Sequence, residues 1–294
     1  MTYSIVARDA ETGQMGVAVQ SHWFSTGSVV TWGEAGVGVV ATQAFADPSY
    51  GPLGLDLMRG GRSATDALQA LTSIDAQAER RQVAMVDANG VVATHTGASC
   101  LGAAGHHAGE TFSTQANMML RDTVWDAMAA AFQRAGGDLT DRLLEALDAA
   151  EAEGGDIRGR QSAAILVVGG DRAPHAAAGR VLELRVEDHA EPLTELRRLV
   201  EVKRAYDRMN DGDGHLARED FDAAARCYEQ AQVAVPENVE FTFWRAVMLA
   251  NFGRLDEARA FLERTYDAPG EWAELLRRLP SVGLLAEELV EKLT

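Results

Sequence analysis

Behind its first methionine the chain reads TYSIVARDAETGQMGVAVQSH, and the residue there with most chemical potential is Thr2. A threonine hydroxyl is a weak nucleophile by itself. When its own backbone amine is free, that amine lies beside the hydroxyl and serves as the general base, so no separate histidine is needed. An α-amine suits the task because its unperturbed pKa, about 7.7 to 8.0, lies near working pH. Position alone favours a plainer reading, in which Thr2 is a β-forming residue behind an initiator methionine.

The surrounding pattern places specific side chains next to Thr2. Tyr3 to Ala7 alternate and are β-prone, turn residues follow from Asp9 to Gly13, and Gln14 to Gln20 read as the returning strand of a hairpin. With Ala10 to Gly13 as the loop, Asp9 faces Gln14 and Thr2 faces Ser21, beside Gln20 and His22. A slip of one residue would turn every side chain to the other face.

Other motifs lack the context their chemistry needs. GVGVVA at Gly36 to Ala41 has the form of a dinucleotide fingerprint but is flanked by β-branched residues and opens no helix, so it reads as a closely packed strand. DGDG at Asp211 to Gly214 fits a calcium loop in neither register. The adjacent His106 and His107 have no carboxylate or cysteine at ligand spacing and read as surface-loop residues, so no metal is expected. No G-x-S-x-G elbow is present, and Cys100, in a Gly/Ala-rich loop, reads as a small buried filler.

The elements that must position Thr2 come in runs. Strands are predicted at Ser28 to Trp32 and Gly36 to Gln43, with the turn at Gly33 to Ala35. A helical stretch follows at Leu53 to Met58, then a second helix N-capped by Ser63. Asn89-Gly90 joins strands Gln82 to Val86 and Val91 to Thr96. Helices at Asp122 to Ala135 and Leu139 to Ala152 end at glycine pairs, before strands at Ser162 to Val168 and Val181 to Val186. This order does not fit a doubly wound sheet. Stacked antiparallel sheets covered by helices fit better.

After His189 only helical spacing remains, which predicts domains at 1–190 and 191–294. FDAAARCYEQA at Phe221 and LDEARAFLERT at Leu255 lie 34 residues apart, the tetratricopeptide period. Gly212, Ala224, Tyr228, Ala231 and Pro236 stand where that repeat places small, aromatic and helix-ending residues.

With 47% apolar and 24% charged residues, the chain has the material for an ordinary core. A net charge of −17 argues against binding nucleic acid or anionic membrane through general electrostatics. Cys100 and Cys227 form no disulfide framework and read as buried free thiols. No signal peptide and no stretch of about 20 apolar residues is seen, so a cytoplasmic protein is expected.

Five blocks together resemble the DUF1028 family: TYSIVARDAETGQMGVAVQSHWF, GVGVVATQAFADPSYGPLGLDLM, VDANGVVATHTGASC, QAN at Gln115 to Asn117, and GGDIRGRQSAAILVV. The resemblance covers roughly residues 2 to 190. It implies an N-terminal-nucleophile (Ntn) hydrolase-like fold of the α+β class, a four-layer αββα sandwich, here followed by an all-α tetratricopeptide-like domain. It also implies that Thr2, exposed by removal of Met1, attacks an amide carbonyl.

Around Thr2, Ser21 and His22 enter by register and Asp9 by the first turn, and none is the lysine that tunes the amine in some superfamily members. Asn117, after a strand, is placed to donate an N–H to an oxyanion or to cap the next helix. Asp156, Arg158 and Gln161 crowd one loop, where acid and guanidinium either clamp a substrate carboxylate or pair with each other. Gln43 and Tyr50 follow a strand end and are expected to line the pocket, or Tyr50 to anchor the turn before Gly51-Pro52.

The expectation is an amidohydrolase acting on a small amide or peptide-like C–N bond, needing no cofactor and forming a homodimer. Arg158 and Arg160 would suit a carboxylate-bearing substrate. The alternative is a non-catalytic binding or scaffold protein whose helical repeats recruit a protein or peptide partner.

Overall fold

A computed structural model describes residues 2–294 and divides the chain into two compact units, Met1–Arg197 and Arg198–Thr294. The first unit is mixed α/β. It begins with the hairpin β1 (Thr2–Arg8) and β2 (Met15–Ser21), followed by α1 (Gly27–Val30), β3 (Thr31–Glu34) and β4 (Gly38–Ala44). Two helices, α2 (Tyr50–Arg59) and α3 (Ala64–Ile74), lead to β5 (Arg81–Asp87), β6 (Val92–Thr96), β7 (Gly105–Ala108) and β8 (Phe112–Asn117). Then come α4 (Val124–Arg134), α5 (Leu139–Ala152), β9 (Ser162–Val168) and β10 (Arg180–Val186).

The strands form two antiparallel sheets, one ordered β10-β9-β2-β1-β8-β7 and the other β3-β4-β5-β6. Side-chain alternation gives each interior strand one face toward the other sheet, and those faces meet in a cluster of Val6, Val17 and Val19 with Val39, Ala41, Ala84 and Val86. On the far side of the four-stranded sheet, Val40, Val83 and Met85 pack against Leu55, Met58, Leu68 and Leu71 of α2 and α3. The outward residues of the six-stranded sheet meet α4 and α5, as Phe112 against the Phe132 ring at 4.8 Å and Tyr3 with its hydroxyl donating to Glu151 at 2.5 Å.

Local chemistry explains most of these elements. Ser63 caps α3 by accepting from the Asp66 N–H at 3.1 Å, and Asp138 and Asp141 form a reciprocal capping box at α5. The β5–β6 turn works because Gly90 takes φ +86° while Asp87 accepts from Asn89 and Val91 N–H groups at 2.9 and 3.1 Å.

Three expectations need correction. Ser28 to Trp32 is not a strand: one helical turn comes first, and the strand starts at Thr31. A strand would send Val29 and Val30 to opposite faces, whereas the turn lets both line one cavity. His106 and His107 sit on the edge strand β7 rather than in a loop, bonded to Thr96 and Asp126 respectively, each at 2.8 Å. Cys100 and Cys227 are free but half-buried.

The helical part consists of α6 (Pro192–Leu216), α7 (Phe221–Ala234), α8 (Val239–Asn251), α9 (Leu255–Tyr266), α10 (Trp272–Arg278) and α11 (Glu287–Leu293). The DGDG stretch lies inside α6, where a Cβ on Gly212 would stand 2.9 Å from the Tyr228 ring. Its core is continuous from Met209 and Tyr228 through Phe241, Phe243 and Val247 to Leu262, Leu276 and Leu293. Among the described residues no helix is long and apolar enough to cross a membrane.

Toward one end, the space between the sheets changes from apolar to polar. The inward series are Val6-Ser4-Thr2 on β1, Val19-Ser21 on β2, Val39-Ala41-Gln43 on β4 and Val86-Ala84-Gln82 on β5. Gln82, fully buried, accepts from Gln43 Nε2 and Asn117 Nδ2, each at 2.8 Å, and donates to the Ala116 carbonyl at 2.9 Å. Gln115 donates to Ser4 at 2.6 Å, and Ser4 donates to Gln43 Oε1 at 2.7 Å. Replacing Gln82 by leucine keeps the volume and removes the shared acceptor. We expect Gln82→Leu to lower unfolding free energy by about 1–3 kcal/mol for each donor left unpaired, read from the midpoint of a denaturant titration.

Candidate active site around Thr2

Four strands bring a row of polar residues together at this end. The register pairs Thr2 with Asn117 on β8 and Ser21 with Ser162 on β9, and Tyr3 opposite Gln20 sets Thr2 beside Ser21. Thr2 Oγ1 donates to Ser21 Oγ at 3.1 Å, and Thr2 is only 4% exposed. Its carbonyl accepts from Asn117 Nδ2 and Gln43 Nε2, each at 3.4 Å. These weak bonds hold the start of β1 from both sheets at once.

Beside Thr2 lies a cavity of ≈ 350 Å³ lined by Gln43 and, on its walls, Trp23, Val29, Val30, Phe45 and Pro48. Two loops shape it. Ser162 fastens the first by donating to the Trp23 carbonyl at 2.5 Å and accepting from the Thr26 N–H at 3.0 Å. The second turns at Ala44, whose φ of +68° is strained for a side-chain-bearing residue by of order 1–3 kcal/mol. Arg81 holds that turn in place, donating to the Phe45 carbonyl at 2.5 Å and pairing with Asp75 at 2.8 Å and Asp47 at 3.7 Å.

The remaining expected site residues divide sharply. Gln43 lines the cavity and Ser21 contacts Thr2, as their positions suggested. Asn117 stands next to Thr2, and its amide N–H groups go to Gln82 and the Thr2 carbonyl. His22 does not line the cavity; its Nδ1 donates to the Arg160 carbonyl at 3.2 Å and its N–H to Asp156 at 3.1 Å. Asp156 also pairs with Arg158 at 2.7 Å, so acid and guanidinium satisfy each other. Arg160 is paired with Glu151 at 2.6 Å and with Glu191, and Gln161 donates to Asp188 at 3.2 Å.

Tyr50 lies elsewhere, in the cluster between α2 and the outer face of the four-stranded sheet, with its hydroxyl donating to Asp75 at 3.1 Å. Burial and the Asp75 bond raise its pKa. Asp9 caps the first turn at the other end of β1, accepting from the Thr12 N–H at 2.8 Å. Sequence reasoning missed Trp23, Val29, Phe45 and Ser162, since apolar loop residues and a strand-end serine carry no motif. The only lysines, Lys203 and Lys292, lie in the helical part. Among the described residues no group of three or more His, Cys, Asp or Glu is arranged to hold a metal ion.

The Arg81 hydrogen bond, partly opposed by desolvation, depresses the Asp75 pKa to about 2. A carboxylate with a lowered folded pKa stabilises the fold above its unfolded value and loses that contribution as pH falls through the folded one. We therefore expect Asp75→Asn to lower Tm by a steady amount above pH 4 to 5 (roughly the unfolded value), with the difference from wild type vanishing near pH 2. Calorimetry across that range is the check.

Comparison with known proteins fits this division of the chain. Residues 2–196 match the model of the family of unknown function DUF1028, and residues 210–271 match a tetratricopeptide repeat model. The crystal structure of protein SPO2555 from Silicibacter pomeroyi, assigned to the DUF1028 family model, is 32% identical and superimposes with a TM-score of 0.61. That similarity covers 68% of this chain and 88% of the other. No curated protein matches. With nearly two-thirds of its length inside the family model and a solved structure of the same family 32% identical over 68% of its length, the chain belongs to the DUF1028 family, extended by a tetratricopeptide repeat segment.

Proposed function

We propose that the first unit is a four-layer αββα sandwich of the Ntn-hydrolase type and that it hydrolyses a small amide or peptide-like C–N bond with Thr2 as nucleophile. One observation carries this reading: Thr2 begins an interior strand, with its hydroxyl bonded to Ser21 at 3.1 Å, at the edge of a cavity of ≈ 350 Å³. The apolar cluster between facing sheets, with helices on the outer faces, supports the sandwich.

The chemistry requires that whatever precedes Thr2 be removed; Met1 itself lies outside the described residues. The free α-amine takes the hydroxyl proton as Oγ1 bonds to the carbonyl carbon. Collapse of the tetrahedral intermediate breaks the C–N bond, and the leaving amine carries away the proton. Water, deprotonated by the same amine, then hydrolyses the ester on Thr2 and restores the hydroxyl. Ser21 orients Oγ1, while Asn117 and Gln43 hold the Thr2 carbonyl. The oxyanion falls to a backbone N–H of the cavity wall, because the Asn117 amide is engaged internally. No step calls on a cofactor.

The helical part supports a second, compatible role. Its match to the tetratricopeptide model and an apolar groove of ≈ 480 Å³ lined by Met209, Leu216, Tyr228, Trp244 and Val247 suit recruitment of a protein or peptide partner. The proposed assembly is a homodimer in the cytoplasm.

Intact-mass analysis of the purified chain should give a species starting at Thr2. With a panel of amides, Thr2→Ala should lower kcat/KM by roughly 1,000-fold or more. A residue retained quantitatively ahead of Thr2, or undiminished turnover by Thr2→Ala, would refute the nucleophile assignment and leave the scaffold reading in its place.

A further inference from the structure

The cavity beside Thr2 has a polar end and largely apolar walls. Thr2 and Gln43 make the polar end, Thr26 is the one other polar residue of the lining, and no Asp, Glu, Lys, Arg or His lines it. Gln43 is committed inward, with Nε2 to Gln82 at 2.8 Å and Oε1 accepting from Ser4 at 2.7 Å. Three guanidinium groups of the adjoining loops are matched by carboxylates: Arg81 by Asp75, Arg158 by Asp156, and Arg160 by Glu151. A carboxylate or ammonium inside the cavity would lose hydration and meet no counter-charge among the lining residues; the exposed Arg80 guanidinium lies outside that lining, against Phe45.

The rim points the same way. Trp23 and Phe45 are 60% and 62% exposed, an unusual state for large aromatic rings. Neither is a loose surface residue. The Trp23 carbonyl is fixed by Ser162 and the Phe45 carbonyl by buried Arg81, while the Arg80 guanidinium stacks on the Phe45 ring at 5.1 Å from its centroid. The rings are held at the opening by their backbones; Arg80 covers one face of Phe45, which leaves its other face and the Trp23 ring for another apolar group.

Building on the Thr2 nucleophile reading, we propose that this cavity is an acyl pocket for an uncharged apolar group. The substrate is then an amide of an apolar carboxylic acid carrying one aromatic ring or a short branched chain. Amides of dicarboxylic acids and of γ-glutamyl groups are excluded by their charge. This replaces the carboxylate preference suggested by Arg158 and Arg160, both of which are paired.

Titration calorimetry on the full-length Thr2→Ala chain separates binding from turnover. The probes are neutral 3-phenylpropionanilide and anionic succinanilic acid. We expect the neutral amide to bind at least roughly 10-fold more tightly, the scale of discrimination an apolar pocket supplies. Phe45→Ala in the same background should weaken the neutral probe several-fold, with Phe45→Leu in between, which distinguishes lost contact from lost fold. Equal or tighter binding of the anion, or binding of neither probe, overturns the proposed selectivity. Wild-type turnover of the neutral anilide is a separate readout. Selective binding without turnover upholds the apolar pocket and removes the nucleophile, whereas faster turnover of the anion upholds the nucleophile and overturns the pocket.

Discussion

Gln82 has no exposed surface, and the single oxygen of its carboxamide accepts from two other buried amides, Gln43 on its own sheet and Asn117 on the facing one. A buried amide without a partner costs more than its hydrogen bond returns, so the three side chains fix one another's positions. Because Gln43 and Asn117 both also reach the Thr2 carbonyl, the position of Thr2 depends on a bond made between sheets. The apolar cluster farther along the strands brings the sheets together without direction. The amides set the register between them.

Around this polar end the loops obey a different requirement. Each must leave a strand, turn, and keep its backbone groups bonded while presenting side chains to the cavity. Ser162 does this for the Trp23–Thr26 segment, and Arg81 for the segment after Ala44. Charged side chains nearby are consumed in such fastening, as Asp156 shows by holding both the His22 N–H and Arg158. Apart from Thr2, Gln43 and Thr26, what remains to line the cavity is apolar.

Elements with strong periodicity or a capping residue were legible along the chain. The first hairpin, the Asn89-Gly90 turn, the Ser63 cap and the 34-residue helical period all rest on interactions between residues close in sequence. The short turn at Gly27–Val30 was not legible, because β-branched residues favour a strand and only the packing of Val29 and Val30 around one cavity overrides them. The edge strand at Gly105–Ala108 has four residues and no alternation of its own. Its pairing with β8 defines it.

The sequence by itself determined Thr2 beside Ser21, since a tight hairpin links turn position to register over a few residues. It also carried the family blocks and the change from strands to helices near residue 190. Only tertiary structure decided which of the candidate groups remain available. Asn117, Asp156, Arg158 and Tyr50 have the right types for a site, yet Asn117 and Tyr50 meet partners brought from another part of the chain, Gln82 and Asp75, while Asp156 and Arg158 pair with each other and Asp156 also holds the distant His22 N–H. Pairing depends on distance in space and on burial, and residue type records neither; the side chains left to form the cavity were therefore fixed by the fold.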